Sequence, residues 1–195
     1  MHGFLWIKRE VTLRGSIAEG SRLRMLVACI AVGVIAGLVV VGVRLNLGLP
    51  GHKALLWMPA IIVARMMSRC RVGATAGSAA VVFTTFGLGG NLAGGPAGLP
   101  LTIVAGAFLD MVIGSLESGK VPAWLHVPVI GVAAMLANLI CLARRLLLPA
   151  GFGVHLLFNA SGFWFRFCSY ALFGLAAGLI AAMAARSIGR GRRCP

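Results

Sequence analysis

Apolar residues fall into six long runs along the chain, separated by short segments that hold most of the charge and proline. The runs cover residues 23–43, 54–68, 72–88, 99–116, 123–143 and 167–186. A helix needs about 20 residues to cross the hydrocarbon layer of a bilayer, within a usual range of about 17–25. The pattern therefore predicts an all-α integral membrane protein with six transmembrane helices.

The second run is shorter than the others and contains Pro59. It follows the stretch "GLPGHK" (48–53), in which Pro50 and Gly51 predict a turn. We expect this helix either to borrow residues from 48–53 or to lie partly inside the bundle.

Composition supports the same class. Of the 195 residues, 59% are hydrophobic and 11% are charged, and the mean hydropathy is +0.97. An average soluble domain carries about 25% charged residues. We predict three segments: an interfacial or cytoplasmic N-terminal segment (1–22), a six-helix membrane domain (23–186) and a basic cytoplasmic tail (187–195).

Charge predicts the orientation. The chain has 18 Lys and Arg against four acids, and its net charge is +14. With the N-terminus in the cytoplasm, thirteen basic residues lie inside and five outside, as the positive-inside rule requires. The sequence thus predicts both termini in the cytoplasm and a multi-pass protein of the cell inner membrane. The basic residues flank apolar runs, which indicates lipid headgroups rather than nucleic acid as their partners.

Small residues recur four apart on two helices, where they let helices approach closely in lipid. Packing within the bundle and docking of another membrane subunit are both open interpretations. The candidate docking residues are Cys29, Gly33 and Gly37 in the first run and Gly174, Gly178 and Ala182 in the last.

Catalytic and metal-binding patterns are weak, and we predict no enzyme, no cofactor and no metal site. The segment "NASG" (159–162) resembles half of an intramembrane serine protease motif, but no His follows it. The four histidines, at positions 2, 52, 126 and 155, lack metal-ligand spacing. The five cysteines form no CxxC pair.

Three polar residues of the spans are predicted to have structural roles. Asp110 is the one acid within a run, and a carboxylate at this depth rarely faces lipid. We expect an ion pair with Arg65 or Arg69, with a proton- or ligand-responsive group as the alternative. Asn138 is a candidate for a hydrogen bond between helices.

The predicted outer loops contain basic, amide and aromatic residues but no acid, which suits a pocket for a small molecule. A carboxylate or phosphate on that molecule would suit the arginines of these loops and the start of the second helix. The alternative is an ordinary aromatic belt at the membrane interface. The candidate ligand-binding residues are Asn46, His52, Lys53, Trp57, Asn91, Asn159, Trp164, Arg166 and Tyr170.

Three stretches carry a resemblance to a known family: "RVGATAGSAAVVFTTFGLGG" (71–90), "LPLTIVAGAFLDMVIG" (99–114) and "ALFGLAAGLIAAMAAR" (171–186). With six spans and both termini inside, the chain resembles the substrate-binding S components of energy-coupling factor (ECF) vitamin transporters. The resemblance implies capture of a vitamin, a precursor or a metal ion at the outer side. It also implies docking onto a membrane coupling subunit driven by two cytoplasmic ATPases, with the first outer loop as a lid.

Within that family, cobalt and nickel members continue an initial Met-His with a fixed motif. Here "GFLWIKRE" follows Met1 and His2, so we expect an organic solute instead. The main alternative function is a non-catalytic membrane anchor or scaffold subunit of a larger complex. A secondary transporter is a third option, although residues 23–116 and 123–186 show no repeat.

Overall fold

A computed structural model describes residues 3–43, 49–90, 92, 98–119, 121–147 and 160–191, with side chains from residue 20 to 143 and from 162 to 188 within these ranges. The helices are α1 (Gly3–Gly42), α2 (Ala54–Ser68), α3 (Gly73–Gly87), α4 (Leu99–Glu117), α5 (His126–Leu147) and α6 (Ala160–Gly191). A 3₁₀ turn at Ala123–Leu125 leads into α5. Every regular element in the described ranges is helical, so the all-α prediction is confirmed.

Four segments are long and apolar enough to cross a membrane: Gly20–Gly42, Leu99–Glu117, Ala123–Ala143 and Gly162–Ile188. The chain is therefore a multi-pass membrane protein by helix length and composition. Each of the six apolar runs coincides with a helix. However, α2 and α3 have 15 residues each, about 22 Å of helix, so six full spans stay a prediction.

The first and last helices are longer than the apolar runs. α1 begins at Gly3 and therefore includes most of the N-terminal segment that we expected to be separate. α6 begins at Ala160, which places the aromatic residues 163–165 on a helix rather than in a loop. The sequence also leaves open whether the apolar, glycine-containing stretch 146–165 is a re-entrant segment, and residues 148–159 of that stretch lie outside the described residues.

The helices pack as a closed ring with α2 toward its inside. Around the ring, α1 contacts α3, α3 contacts α4, α4 contacts α5, α5 contacts α6, α6 contacts α2 and α2 contacts α1. Helix α2 also contacts α3 and α4. Its buried residues are Ala54, Trp57, Met58, Ile61, Ile62 and Arg65. A short helix inside the bundle agrees with one of the two expectations from the sequence.

The alternating helix directions define two ends. We call the end where α2, α4 and α6 begin the top, and the end where α3 and α5 begin the bottom. At the top, Ser169 Oγ donates a hydrogen bond to Pro50 O at 2.6 Å. At the bottom, Arg186 Nη2 donates one to Ala123 O. The Ser169 bond joins the turn before α2 to α6, and the Arg186 bond joins α6 to the 3₁₀ turn before α5.

Both small-residue faces are used inside this chain. A Cβ added to Gly37 would lie 2.9 Å from Thr84 Cβ on α3, and one added to Gly178 would lie 2.6 Å from Ala134 Cβ on α5. Cys29 and Ala182 are each 1% exposed. Neighbouring helices of this chain thus cover all six candidate docking residues, Cys29, Gly33, Gly37, Gly174, Gly178 and Ala182, and docking of another subunit through them stays a prediction. Packing within the bundle was the other interpretation.

Candidate functional site

Arg65 binds two acidic side chains of α4 near the bottom. Its Nε donates to Asp110 Oδ1 at 2.8 Å, and its Nη1 and Nη2 donate to Glu117 Oε1 and Oε2 at 2.9 and 3.1 Å. The side chains of Arg65 and Asp110 are 0% and 7% exposed, and that of Glu117 is 38% exposed. This fork-to-carboxylate geometry is the strong form of an ion pair.

Asp110 also caps the first turn of α3. Its Oδ1 accepts from Ala74 N at 3.0 Å, and its Oδ2 accepts from Thr75 N and Thr75 Oγ1 at 2.7 Å each. The first amides of a helix have no partner within the helix, and Val72, which precedes α3, makes no side-chain cap. A carboxylate from α4 supplies the cap, and its charge matches the positive end of the helix dipole.

These contacts explain why charged side chains are buried near the bottom of the bundle. Of the two arginines considered, Arg65 pairs with Asp110, whereas Arg69 is exposed and ends α2 with a φ of 52°. Four donors surround Asp110, so a structural role that ties α2, α3 and α4 together accounts for its position. Sequence reasoning missed Glu117. The available signal was its spacing of seven residues from Asp110, about two helical turns along one face.

At the top, the turn before α2 (residues 50–53, called the top turn below) packs on α6. Gly51 has a φ of +84°, and a Cβ there would lie 2.9 Å from Tyr170 Cγ. The amides of Ala54, Leu55 and Leu56 donate to the carbonyls of residues 51, 52 and 53, each at 3.1 Å. These three amides are therefore already hydrogen-bonded within the turn and the first turn of α2, and an anion site at the start of α2 stays a prediction.

The structure describes six of the nine candidate ligand residues. His52 and Lys53 follow Gly51 in the top turn, Trp57 lies one helical turn deeper and is 3% exposed, and Tyr170 is partly buried against Gly51. Arg166 lies one turn from Tyr170 on α6 and is partly exposed. Trp164 is 59% exposed, with ring contacts to Phe163 and Phe167, as in an interfacial belt. Asn46, Asn91 and Asn159 lie outside the described residues.

A hydrogen bond between α5 and α6 supports this end of the bundle. Asn138 Nδ2 donates to Tyr170 O at 2.8 Å, which is the kind of contact between helices that the sequence predicted. A Cβ added to Gly174 would lie 2.8 Å from Asn138 Cβ. The close approach at Gly174 thus places the amide beside the backbone of Tyr170.

Two buried polar atoms have no hydrogen-bond partner in the described part of the chain: His52 Nε2 and Ser78 Oγ. Ser78 lies where α3 crosses Gly106 of α4, inside the packed core. His52 belongs to the top turn, and its other nitrogen, Nδ1, contacts Leu49 O. The imidazole therefore presents one unsatisfied atom at the end where sequence analysis predicts a ligand.

Comparisons with models of protein families, with characterised proteins and with solved structures gave no match to this chain. Within the described residues, no three His, Cys, Asp or Glu side chains form a potential metal-binding group.

Replacing Gly51 by alanine tests the link between the top turn and Tyr170. We expect a loss of unfolding free energy above the roughly 1–2 kcal/mol that a left-handed backbone costs a residue with a Cβ, because Cβ also meets the Tyr170 ring. Gly89→Ala is the matched control. Gly89 has a φ of +69° but open space around its Cβ position. Equal melting temperatures for the two variants would contradict the packing of the turn on Tyr170.

Proposed function

We propose that this chain is the substrate-capture subunit of an ATP-driven importer for a vitamin or a related small organic molecule, which binds at the top of the bundle. The supporting observation is the top turn. It is fixed to α6 through Pro50 and Gly51, and it holds His52 with a buried nitrogen that lacks a partner in the described ranges. Trp57 adds an apolar wall below it. A few placed polar groups on an apolar scaffold are typical of small-molecule sites.

The proposed orientation places the top outside the cell. Exposed arginines concentrate toward the bottom, namely Arg22, Arg24, Arg69, Arg71 and Arg186. The described side chains toward the top include two basic ones, Lys53 and Arg166. The positive-inside rule then favours a cytoplasmic bottom, with both termini inside the cell. A solute bound at the top would be taken from outside.

The resemblance to ECF S components supports the energy source in this proposal. A membrane coupling subunit with cytoplasmic ATPases would bind the outer faces of the bundle. The small residues of α1 and α6 would contribute indirectly, because they hold α1 against α3 and α6 against α5. A scaffold subunit, the alternative function, would need the same outer faces but no solute at the top.

A thermal-shift screen of the detergent-solubilised protein tests solute capture. The panel contains water-soluble vitamins, their precursors and small carboxylates. A solute at 100 times its Kd stabilises the folded state by about 2.7 kcal/mol, which gives a clear rise in melting temperature. We expect His52→Leu to lose that rise and Trp164→Phe to keep it, because the Trp164 ring is 59% exposed and packs on Phe163 and Phe167.

Substitution at Trp57 provides a second check, because its ring is buried below the turn. Trp57→Phe should weaken the stabilisation by a binding solute more than Trp164→Phe does. Two results together would favour the scaffold function instead. No solute of the panel would stabilise the protein, and the same proteins would co-purify with the His52→Leu variant as with the wild type.

A further inference from the structure

The hydrogen-bonding state of His52 follows from its contact with Leu49. Nδ1 of His52 lies within hydrogen-bonding distance of the Leu49 carbonyl oxygen. A carbonyl oxygen can only accept, so Nδ1 carries the hydrogen and donates it. A neutral imidazole carries one hydrogen, and the other nitrogen is then an acceptor. In its neutral form, His52 therefore presents the lone pair of Nε2.

That lone pair is buried and unused in the described part of the protein. A buried polar atom without a partner costs about 1–3 kcal/mol, so such atoms in native structures call for an explanation. The surrounding turn gives the ring little freedom. Ser169 Oγ binds the Pro50 carbonyl at 2.6 Å, and Gly51 packs on Tyr170. The turn thus fixes where Nε2 lies, and a solute donor reaches Nε2 by displacing the atoms that cover it.

We propose that Nε2 of His52 accepts a hydrogen bond from a hydroxyl or N–H group of the captured solute. The inference rests on the proposed function and specifies the chemistry of the solute at this position. An ionised carboxylate or phosphate has only acceptor atoms, so it would set lone pairs against the lone pair of Nε2. Any anionic group of the solute therefore binds elsewhere, and a donor group binds at His52.

A metal ion is the other partner that an imidazole held in this way commonly takes. Metal-binding histidines donate their second nitrogen to a carbonyl or carboxylate in the same manner. A bound zinc ion needs three or four protein ligands. No group of three candidate ligands occurs among the residues that the structure describes. A hydrogen bond from a solute requires Nε2 alone, so the geometry favours the donor.

Nitrogen NMR tests the state of His52 without any solute. The protein is labelled with ¹⁵N-histidine in detergent micelles, and the His52 signals are assigned by their loss in His52→Gln. We expect Nδ1 to carry the hydrogen and Nε2 to have the shift of an unprotonated acceptor. A hydrogen on Nε2, whether the ring is neutral or doubly protonated, would overturn the proposal.

Methylated analogues test the solute chemistry. Each solute that stabilises the protein is compared with its O-methyl or N-methyl analogue in titrations of the wild type, His52→Gln and His52→Leu. Sites that hydrogen-bond a substrate group discriminate strongly against analogues that lack it, so we expect at least tenfold weaker binding of one analogue to the wild type. His52→Leu should bind parent and analogue equally. His52→Gln, whose amide oxygen can accept, should keep part of the preference.

The outcomes separate this proposal from the one on which it rests. Solutes that bind, with every methylated analogue binding equally well, would leave capture intact and overturn the role of His52. The same conclusion would follow if Zn²⁺ stabilised the wild type through His52 and no hydroxyl or N–H solute depended on it. A panel with no binding solute would overturn both proposals. Should His52→Leu fail to fold, His52→Gln and the NMR result decide.

Discussion

Replacing Arg65 by methionine is expected to lower the free energy of unfolding by about 3–5 kcal/mol, the usual cost of removing one partner from a buried ion pair. The substitution leaves Asp110, 7% exposed, without its cation. It also leaves Glu117 without its two hydrogen bonds from Arg65. Chemical denaturation in micelles measures the effect. Arg71→Met is the matched control, because Arg71 is exposed and surface substitutions usually change stability by less than about 0.5 kcal/mol.

A double substitution separates the buried charge from the lost packing. Asp110→Asn in the Arg65→Met background removes the uncompensated charge, so it should recover part of the loss. Glu117→Gln alone should cost less than Asp110→Asn alone, since Glu117 is 38% exposed and water screens its interaction. If Arg65→Met were as stable as Arg71→Met, the ion cluster would not hold α2 and α4 together.

Gly106→Ala is the substitution with the second largest expected effect. A Cβ at this position would lie 2.5 Å from Ser78 Oγ and 2.7 Å from the backbone oxygen of Ala74. The backbone oxygen cannot rotate away, so α3 and α4 must separate. Separation would also pull Asp110 from the first amides of α3. We expect a loss of about 1–3 kcal/mol, as for overpacked cores, where an exposed helical position would gain about 1 kcal/mol from the same change.

Gly114→Ala is the control for Gly106→Ala on the same helix. The nearest atom to a Cβ at Gly114 is Arg65 Nη2 at 4.0 Å, an ordinary contact. We expect this variant to be as stable as the wild type or slightly more stable. Equal effects of the two substitutions in thermal or chemical unfolding would contradict the close crossing of α3 and α4 at Gly106.

The helices could be predicted from the sequence because the apolar runs are local and long. The bounds of α2, Ala54–Ser68, coincide with its run. Helix α3 is one residue shorter than its run at each end, and α4 extends one residue beyond its run at the C-terminal end. The continuation of α1 to Gly3 could not be predicted in this way, since polar residues there interrupt the hydrophobic run without breaking the helix. Neighbouring faces were also ambiguous: Gly33 and Gly178 indicated close approach but not which helix approaches.

The polar sites could not be predicted in full, because they depend on contacts between residues that are far apart in the sequence. The choice of Arg65 over Arg69 depends on where α2 ends, because Arg65 is a buried residue of the helix whereas Arg69 follows its last residue and is exposed. The capping of α3 by Asp110 joins residues 35 and 36 positions apart. At the top, the state of His52 depends on a turn held by Ser169, which is 119 residues from Pro50. Sequence analysis identified His52 as a candidate but not its unpaired acceptor.

The most direct test of solute capture is native mass spectrometry of the protein purified from cell membranes, followed by identification of any released small molecule. We expect one bound organic molecule with a hydroxyl or N–H group in the wild type and in Trp164→Phe, and its loss in His52→Leu. A wild-type spectrum with the bare protein mass alone, from cells supplied with the vitamins and precursors of the screen, would contradict capture at the top of the bundle.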